Sequence, residues 1–245
     1  MNSINTQLNG LLLCAKYAFM PNKLQYCGGD RNSELFNFGI QNQSDPFLGT
    51  LLKEFETLYP YLTLIASSNG IKDPFDQKVV EAYWIGNELL EKTDMKKLYW
   101  HFVDALKLKN KMTPQQFTDL VGQIPPQAKP HHSFHVFNIW LRTGNLPIAH
   151  TIQTVNDCRI GWGKITKILP NELEIETPVI EEKLEKLLLS KPQKKTVIYK
   201  MLNESFIKNP QINDLISYHW NFACDKITES QAINLQRYTL ANLTQ

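Results

Sequence analysis

The sequence predicts an α+β protein in which a mainly α-helical part, residues 1–147, precedes a small β-barrel with a C-terminal helix, residues 148–245. Three observations predict this division. In the first part, apolar residues recur at spacings of three and four, as one face of a helix requires. After residue 148 they alternate with polar residues, as in half-buried strands. The final segment, 228–243, returns to helical spacing behind Thr228, with Gln231 three residues later as in a capping box.

Helix starts in the first part are marked by a capping side chain directly before proline. Asp45-Pro46, Asp73-Pro74 and Thr113-Pro114 each pair an oxygen that can accept from free N–H groups with a residue suited to the first helical turn. The first helix should end at Pro21, which cannot donate a backbone hydrogen bond. The predicted helices cover 8–19, 75–90, 96–108 and 115–121, together with one that begins after Asp45.

The second part reads as short strands. Glu172, Glu174 and Glu176 alternate with apolar Leu173 and Ile175, which is the period of a strand with one buried face. Several short strands followed by a helix favour a small barrel, because closure removes the exposed strand edges. The predicted strands cover 160–168, 173–177, 197–201 and 214–220.

Bulk composition argues against several classes of protein. Twenty-six basic and 24 acidic side chains leave a net charge of +2, too balanced for a nucleic-acid-binding surface. No apolar run reaches the roughly 18 residues of a membrane span, and no GxxxxGK[ST] motif predicts nucleotide binding. The four cysteines form no CxxC pair, and no secretion signal is recognisable. We therefore expect a cytoplasmic protein with reduced thiols.

Three histidines within five residues form the densest chemical feature of the helical part: His131, His132 and His135. On a helix, His131 and His135 would share a face; on a strand, His131 and His135 would lie opposite His132. Pro130 and the β-prone residues that follow favour the extended form. Imidazole suits iron, nickel or zinc, so this run is a candidate metal site. A packed polar cluster is the structural alternative.

Two further features could complete such a site. Glu81 and Glu88 share one helical face with Trp84, and either carboxylate could bind a metal or orient a histidine. Cys27 lies at the bend of a Gly-Gly turn and could be a thiolate ligand. Each also has a plain structural interpretation: surface acids on a core helix, and a simple turn. A site built from these residues would make the protein a metalloenzyme.

Two segments of the second part carry a resemblance to a known family. Cys158-Arg-Ile-Gly-Trp-Gly-Lys-Ile has a cysteine, an aliphatic residue two positions later and a glycine before a β-rich stretch. Residues 213–232 combine an aspartate, a hydrophobic alternation, a histidine and an aromatic–small pair before a helix. In order and spacing, both resemble the HypC/HupF chaperones that mature nickel–iron hydrogenases. The resemblance implies an OB-like barrel.

In that family the first cysteine helps to hold an iron with cyanide and carbon monoxide ligands. The resemblance therefore implies that Cys158 carries iron, with a hydrogenase maturation scaffold protein and the large-subunit precursor as partners. Arg159 next to it would favour the thiolate. One departure is clear: the family's cysteine follows the initiator methionine, whereas Cys158 follows the whole helical part.

The chain also resembles an uncharacterised bacterial family with the blocks Tyr-Cys-Gly, Glu-Ala-Tyr-Trp-x-Gly-Asn, Pro-His-His-Ser-Phe-His-Val and Cys-Arg-Ile-x-Trp-Gly. That resemblance implies no reaction. Whether the chain is an enzyme stays open, with three hypotheses: a hydrogenase maturation factor, a metalloenzyme, or an adaptor that only contacts other proteins. The separation of Cys158 from the three histidines is the geometric observation that best discriminates between them.

Overall fold

The computed structural model describes residues 2–139, 149–184 and 186–243, and its fold is α+β as predicted. The predicted boundary at 147/148 lies outside the described residues. The helices are α1 Asn2–Lys23, α2 Asn32–Gln41, α3 Pro46–Lys53, α4 Leu58–Ser68, α5 Gln77–Trp84, α6 Met95–Trp100, α7 Pro114–Gln123, α8 His132–Phe134, α9 Ile152–Cys158 and α10 Glu229–Asn242. The strands are β1 Gly161–Ile168, β2 Glu172–Thr177, β3 Ile180–Lys183, β4 Lys186–Leu189, β5 Gln193–Ile198, β6 Leu215–His219 and β7 Phe222–Lys226.

The predicted helix caps are largely confirmed. The Asp45 carboxylate accepts from the backbone N–H of Phe47 at 2.8 Å, and Thr113 and Thr228 each form a complete capping box. These interactions satisfy the N–H groups that the first turn of a helix leaves without a backbone partner. The start of α5 differs from the prediction, because Asp76 rather than Asp73 caps it.

Three predicted helices differ in extent or form from those in the structure. The helix predicted over 75–90 ends at Trp84, because Gly86 adopts φ +97° and its Cα packs against the ring of Tyr238. The helix predicted over 96–108 continues from α6 into a π-helical turn, His101–Ala105. Helix α1 runs through the predicted stop at Pro21 to Lys23.

The histidine run is helical, so the prediction of an extended segment there was wrong. His131 caps the short helix α8, and a π-helical turn, His135–Ile139, follows directly. The side chain of His131 accepts from the backbone N–H of Ser133 at 3.2 Å. A capping histidine thus overrides the β-preference of the residues that follow.

Five strands form one mixed sheet in the order β1-β2-β5-β7-β6, and β6 returns to pair with β1. Four of the five joints are antiparallel ladders, whereas β5 and β7 meet through a single parallel pair, Ile198 with Phe222. The five strands thus form a curled mixed sheet in which β6 and β1 are paired. Strands β3 and β4 form a separate hairpin.

A tight turn joins β6 to β7. Trp220 and Asn221 both have positive φ, 50° and 59°, and His219 pairs with Phe222 across the turn. Two central residues in this conformation make the type I′ turn that matches strand twist in hairpins. A tryptophan in the left-handed region is unusual, because its Cβ is crowded there. The turn holds His219 and Trp220 at the edge of the sheet that faces the helices.

One hydrophobic core crosses both parts of the chain. Phe19 in α1 stacks on Phe36 with ring centroids 4.7 Å apart and meets Phe222 of β7 edge-on at 5.4 Å. Leu235 and Tyr238 of α10 are buried in the same cluster. A smaller cluster fills the inside of the curled sheet. Among the described residues, no helix is both long and apolar enough to cross a membrane.

Candidate metal centre

Three side chains that commonly bind metals meet where the helical part contacts the sheet. They are His132 in α8, Cys158 at the end of α9 and His219 at the end of β6, and one donor atom from each lies within 4.8 Å of the other two. Bound donors around a tetrahedral ion are about 3.5 Å apart, so a side-chain movement of about 1 Å would close the set. The site joins segments that are far apart in sequence.

His219 is oriented by the backbone of α1. Its Nδ1 is 2.7 Å from the carbonyl oxygen of Tyr17. A carbonyl can only accept, so Nδ1 carries the proton and the lone pair is on Nε2. Metal-bound histidines usually donate their second N–H to such an acceptor, which fixes the tautomer and the ring orientation.

Pro21 explains why the backbone carbonyl of Tyr17 is available as a hydrogen-bond acceptor. In a regular helix the carbonyl of residue 17 accepts from the N–H of residue 21, but residue 21 is proline and has no N–H. Pro21 lies inside α1, so its ring also pushes that carbonyl away from the helix axis. The break in the α1 ladder therefore presents the acceptor that His219 uses.

His132 is held at both ring nitrogens. Its Nδ1 is 3.0 Å from the hydroxyl of Tyr83 in α5, and its Nε2 is 2.8 Å from the carbonyl oxygen of Cys158. Burial, and then the proximity of His219, hold the pKa of His132 well below its usual value of 6.5. The ring is therefore neutral at pH 7, as a metal ligand must be.

Cys158 is the last residue of α9, a helix that begins with a capping box at Thr151. Its exposure is intermediate, whereas His132 and His219 are buried. That Arg159 favours its thiolate stays a prediction, because the hydrogen bonds of the Arg159 side chain are made with other groups. The Arg159 guanidinium is fully buried and donates to the carbonyl oxygens of Pro178 and Ile160 and to the amide oxygen of Asn156. Arg159 thus ties its own loop to the segment after β2.

A narrow cavity of about 60 Å³ lies beside the three donors and is lined by all of them. Its walls are largely aromatic, with Tyr26 and Trp220 in contact at a ring distance of 4.5 Å. Cys27 and His135 also line it, and both are partly exposed. Gly28 has φ +79°, and a Cβ there would meet the Phe55 ring at 2.5 Å. Glycine therefore lets this loop close one wall.

The structure thus gathers some of the predicted site residues and separates others. His132 and Cys158 meet, and Cys27 and His135 stand at the cavity without belonging to the three-donor set. His131 is turned towards Ser133 as a helix cap. Glu81 accepts from Gln231 of α10 at 2.7 Å, and Glu88 is exposed. The two carboxylates are therefore not part of this cluster.

His219 was not selected as a ligand from the sequence. The one available signal in the sequence was the predicted resemblance of residues 213–232 to the closing strand of the HypC/HupF family, which includes a histidine. Periodicity gave no help, since the residue lies at the end of a strand with four consecutive buried positions. What makes it a candidate ligand is a contact with α1, 202 residues away in the chain.

Comparison with family models gives one match, which covers residues 6–245. The chain belongs to DUF6390, a family of unknown function. The matched residues include His132, Cys158 and His219 and span both parts of this DUF6390 protein. Searches of curated proteins and of solved structures find no match.

Replacing Pro21 by alanine should separate helix stability from site geometry. Alanine at this position would supply an N–H to the Tyr17 carbonyl, so we expect the free energy of unfolding to rise by about 1 kcal/mol or more. The same N–H competes with His219, so the Nδ1 proton resonance of His219 should move upfield. Urea unfolding and NMR of histidine-labelled protein measure the two effects.

Pro60→Ala is the matched control for this change. Pro60 is the third residue of α4, where a new N–H has no intrahelical acceptor. We expect this variant to show neither the gain in stability nor the shift of the His219 resonance. A Pro21→Ala protein that behaves like this control would contradict the assignment of the freed carbonyl to His219.

Buried histidines should make this DUF6390 protein sensitive to acid. Burial lowers the pKa of His101 and of His131 from 6.5 to about 3, with His135 contributing to the shift at His101. Below pH 6.5 the unfolded chain binds protons that the folded chain excludes. Stability is therefore complete above that pH and falls towards pH 3, by about 1.4 kcal/mol per pH unit for each histidine. Urea unfolding at a series of pH values measures the slope, and His101→Gln should reduce it by one proton.

Proposed function

We propose that this protein is an accessory factor of metal-centre assembly that carries an iron ion on Cys158, His132 and His219. The observation that carries the proposal is the convergence of these three donors at the contact between the two parts of the chain. In the setting implied by the HypC/HupF resemblance, the ion is cargo for a nickel–iron hydrogenase. The partners are then a maturation scaffold protein and the large-subunit precursor.

The donor set suits this cargo. A thiolate is a soft, strong ligand, and imidazole is a common ligand of iron, nickel and zinc. His219 has the second hydrogen bond to a backbone carbonyl that metal-bound histidines usually make. Burial keeps His132 neutral, so no proton competes for its lone pair at pH 7. The residues present therefore fit a transition metal.

The strand pairing supports the resemblance on which the hydrogenase assignment rests. The two resembling segments are neighbours in one ladder, where Gly161 pairs with Tyr218 and Trp162 with Ser217. This pairing brings Cys158, just before β1, to the same edge as His219, at the end of β6. We accordingly interpret the curled sheet with α10 as an OB-like barrel of the HypC type.

The helical part has a defined role in this proposal. It supplies His132 directly and fixes His219 through the Tyr17 carbonyl. A carrier with a single exposed cysteine would release its ion easily, whereas two additional imidazoles retain it until a partner intervenes. Tyr26, Cys27, His135 and Cys158 are among the partly exposed residues that line the cavity, so a partner would approach there.

A metalloenzyme is the second candidate, and one observation favours it. Three protein ligands beside a small cavity resemble a catalytic metal site, which keeps a position open for water or substrate. Such an enzyme could make or process a ligand of the metal centre. The fate of the ion separates the two functions: a carrier gives it up to a partner, and an enzyme keeps it through turnover.

Metal binding is the first test of the site. Anaerobic titration with Fe(II), and separately with Zn(II), should give one ion per chain. Cys158→Ser and His219→Gln should each weaken binding by about 100-fold or more, because loss even of outer groups typically costs 10–100-fold. Competition with a chromophoric chelator measures the affinity, and circular dichroism verifies folding.

His135→Gln and Cys27→Ser are matched controls for this titration. Both residues line the cavity, and neither belongs to the three-donor set. Their affinities for the metal should be within about threefold of the wild type. This change is well below the 10–100-fold loss expected when a group that orients a ligand is removed. Binding that survives Cys158→Ser but disappears in His135→Gln would refute the assigned ligands and favour a site on the histidine run.

Partner transfer is the second test. The protein purified with the hydrogenase maturation scaffold should carry infrared bands of CO and cyanide bound to iron, and Cys158→Ala should lose them. On addition of large-subunit precursor, the iron should leave this protein. An equally stable complex with unchanged bands in Cys158→Ala would refute iron carriage, and iron that stays through catalytic turnover would favour the enzyme.

A further inference from the structure

The last turn of α9 contacts both of the other segments that carry candidate ligands. The backbone carbonyls of Asp157 and Cys158 lie at the end of this helix, where no further helical N–H follows to pair with them. Trp220 donates its backbone N–H to the Asp157 carbonyl at 2.7 Å, and Nε2 of His132 lies 2.8 Å from the Cys158 carbonyl oxygen. The end of α9 therefore joins α8 on one side and the β6–β7 turn on the other.

The side chain of Asp157 makes a second connection to the same turn. Its Oδ1 accepts from the side-chain amide of Asn221 at 3.1 Å, and Nζ of Lys195 lies 3.9 Å from this oxygen. Its Oδ2 accepts at 2.8 Å from the side-chain amide of Gln153, one turn earlier on α9. Asp157 is only 8% exposed, so these groups supply the hydrogen bonds and the opposite charge that a buried carboxylate requires.

The β6–β7 turn needs such support because its backbone conformation is unfavourable. Trp220 and Asn221 have φ of 50° and 59°, and a tryptophan is crowded in this left-handed region because of its Cβ. Backbone in such a region persists when the surrounding structure over-determines it. Asp157 fixes both turn residues, one through its main chain and the other through its side chain.

We propose that Asp157 is a positioning residue of the candidate metal centre, which sets the separation of Cys158 from His219 by fixing the β6–β7 turn to the end of α9. The inference rests on the proposed metal-binding function. Cys158 follows Asp157 directly, and His219 directly precedes the two turn residues that Asp157 contacts. The three donor atoms lie within 4.8 Å of one another, whereas donors around a bound ion are about 3.5 Å apart. A loosened turn would therefore weaken the bond between the ion and His219.

Asp157 acts through its neighbours, because its carboxylate is not a member of the three-donor set. Both of its oxygens are engaged by side-chain amides, and an ammonium group lies beside one of them. The Tyr17 carbonyl fixes the ring of His219 against α1, and Asp157 fixes the residues that follow His219 against α9. The first contact orients the imidazole, and the second sets its distance from the cysteine.

Two variants remove this connection from opposite sides. Asp157→Ala deletes the carboxylate, whereas Asn221→Gly deletes the amide that the carboxylate binds. Glycine suits the left-handed conformation of residue 221, so the second variant removes the hydrogen bond without adding backbone strain. Zn(II) alone is the probe, and its affinity for the full chain should fall about 10–100-fold in each variant, the range typical of groups that orient a ligand. Because both variants remove one hydrogen bond, the double variant should bind no more weakly than Asp157→Ala.

Asp214→Ala is the matched control. The Asp214 carboxylate accepts from the backbone N–H of Gln211 at 2.8 Å and pairs with Lys226 at 2.7 Å, so it also ties a loop to the sheet. It directly precedes β6, at the end of the strand opposite to His219. This variant should bind zinc within about threefold of the wild type, well below the loss expected for a group that orients a ligand. An equal loss in Asp157→Ala and Asp214→Ala would overturn the inference, because the effect would then belong to the fold in general.

Co(II) gives a readout that a loss of stability alone would not change. At saturating Co(II), the thiolate charge-transfer and d–d absorption bands report the geometry around the ion. The d–d bands of Asp157→Ala should differ from those of the wild type, and those of Asp214→Ala should match them. Unchanged d–d bands in Asp157→Ala, or an unchanged zinc affinity, would overturn the inference. If circular dichroism shows that Asp157→Ala does not fold, Asn221→Gly serves for both comparisons.

The two proposals fail separately. Wild type that binds neither zinc nor cobalt refutes the metal site and this inference with it. Metal that is bound through Cys158, with the same affinity in wild type and in Asp157→Ala, refutes the inference alone.

Discussion

A single backbone carbonyl, that of Tyr17, holds the helical part and the sheet in the register that the candidate metal centre needs. Pro21 leaves it without its helical donor, and His219 takes it at 2.7 Å. The hydroxyl of the same tyrosine reaches Ser217 at 2.7 Å, two residues earlier on β6. Tyr17 of α1 therefore forms hydrogen bonds with two residues of β6, Ser217 and His219. A shift of the strand along α1 would break both hydrogen bonds.

Because His132 and His219 are buried, their hydrogen-bond partners determine their protonation. His132 and His219 are removed from water, so their polar atoms require protein partners, and those partners fix which nitrogen carries the proton. Desolvation also holds His132 neutral. The same burial opposes folding in acid, because the histidines bind protons in the unfolded chain and exclude them when they are buried in the folded protein. The buried histidines of the candidate site are in this sense a weak point of the fold in acid.

Local signals in the sequence predicted much of the fold. Caps at Asp45, Thr113 and Thr228 and the alternation in β2 depend on neighbouring residues, so they could be read without tertiary structure. The histidine run could not, because its cap is a histidine and the turn that follows, His135–Ile139, is π-helical. In the site, Cys158 and His132 were predicted from residue type and motif.

The part of the site that was missed depends on contacts between distant residues. His219 gains its role from α1, and the acceptor exists because of a proline that the sequence predicted only as a helix stop. The spacing of Glu81 and Glu88 predicts that they share a helical face with Trp84. In the structure Glu81 accepts a hydrogen bond from Gln231 of α10, whereas Glu88 is exposed to solvent. A shared helical face shows which residues are neighbours, but it does not show what is packed opposite them.

The three donors come from both parts of the chain, so a bound ion would affect how the two parts are held together. His132 comes from the helical part, whereas Cys158 and His219 come from the part that contains the sheet. An ion bound by all three would link the two parts beside a core that they already share. An ion that binds only when the two parts are in contact stabilises that contact by a free energy that grows with the logarithm of its affinity. Separating the parts must weaken ion binding by the same free energy. A partner that pulls the helical part away from the sheet would therefore loosen the ion without touching a ligand. In the proposed carrier, the helical part would therefore contribute both to retaining the ion and to releasing it.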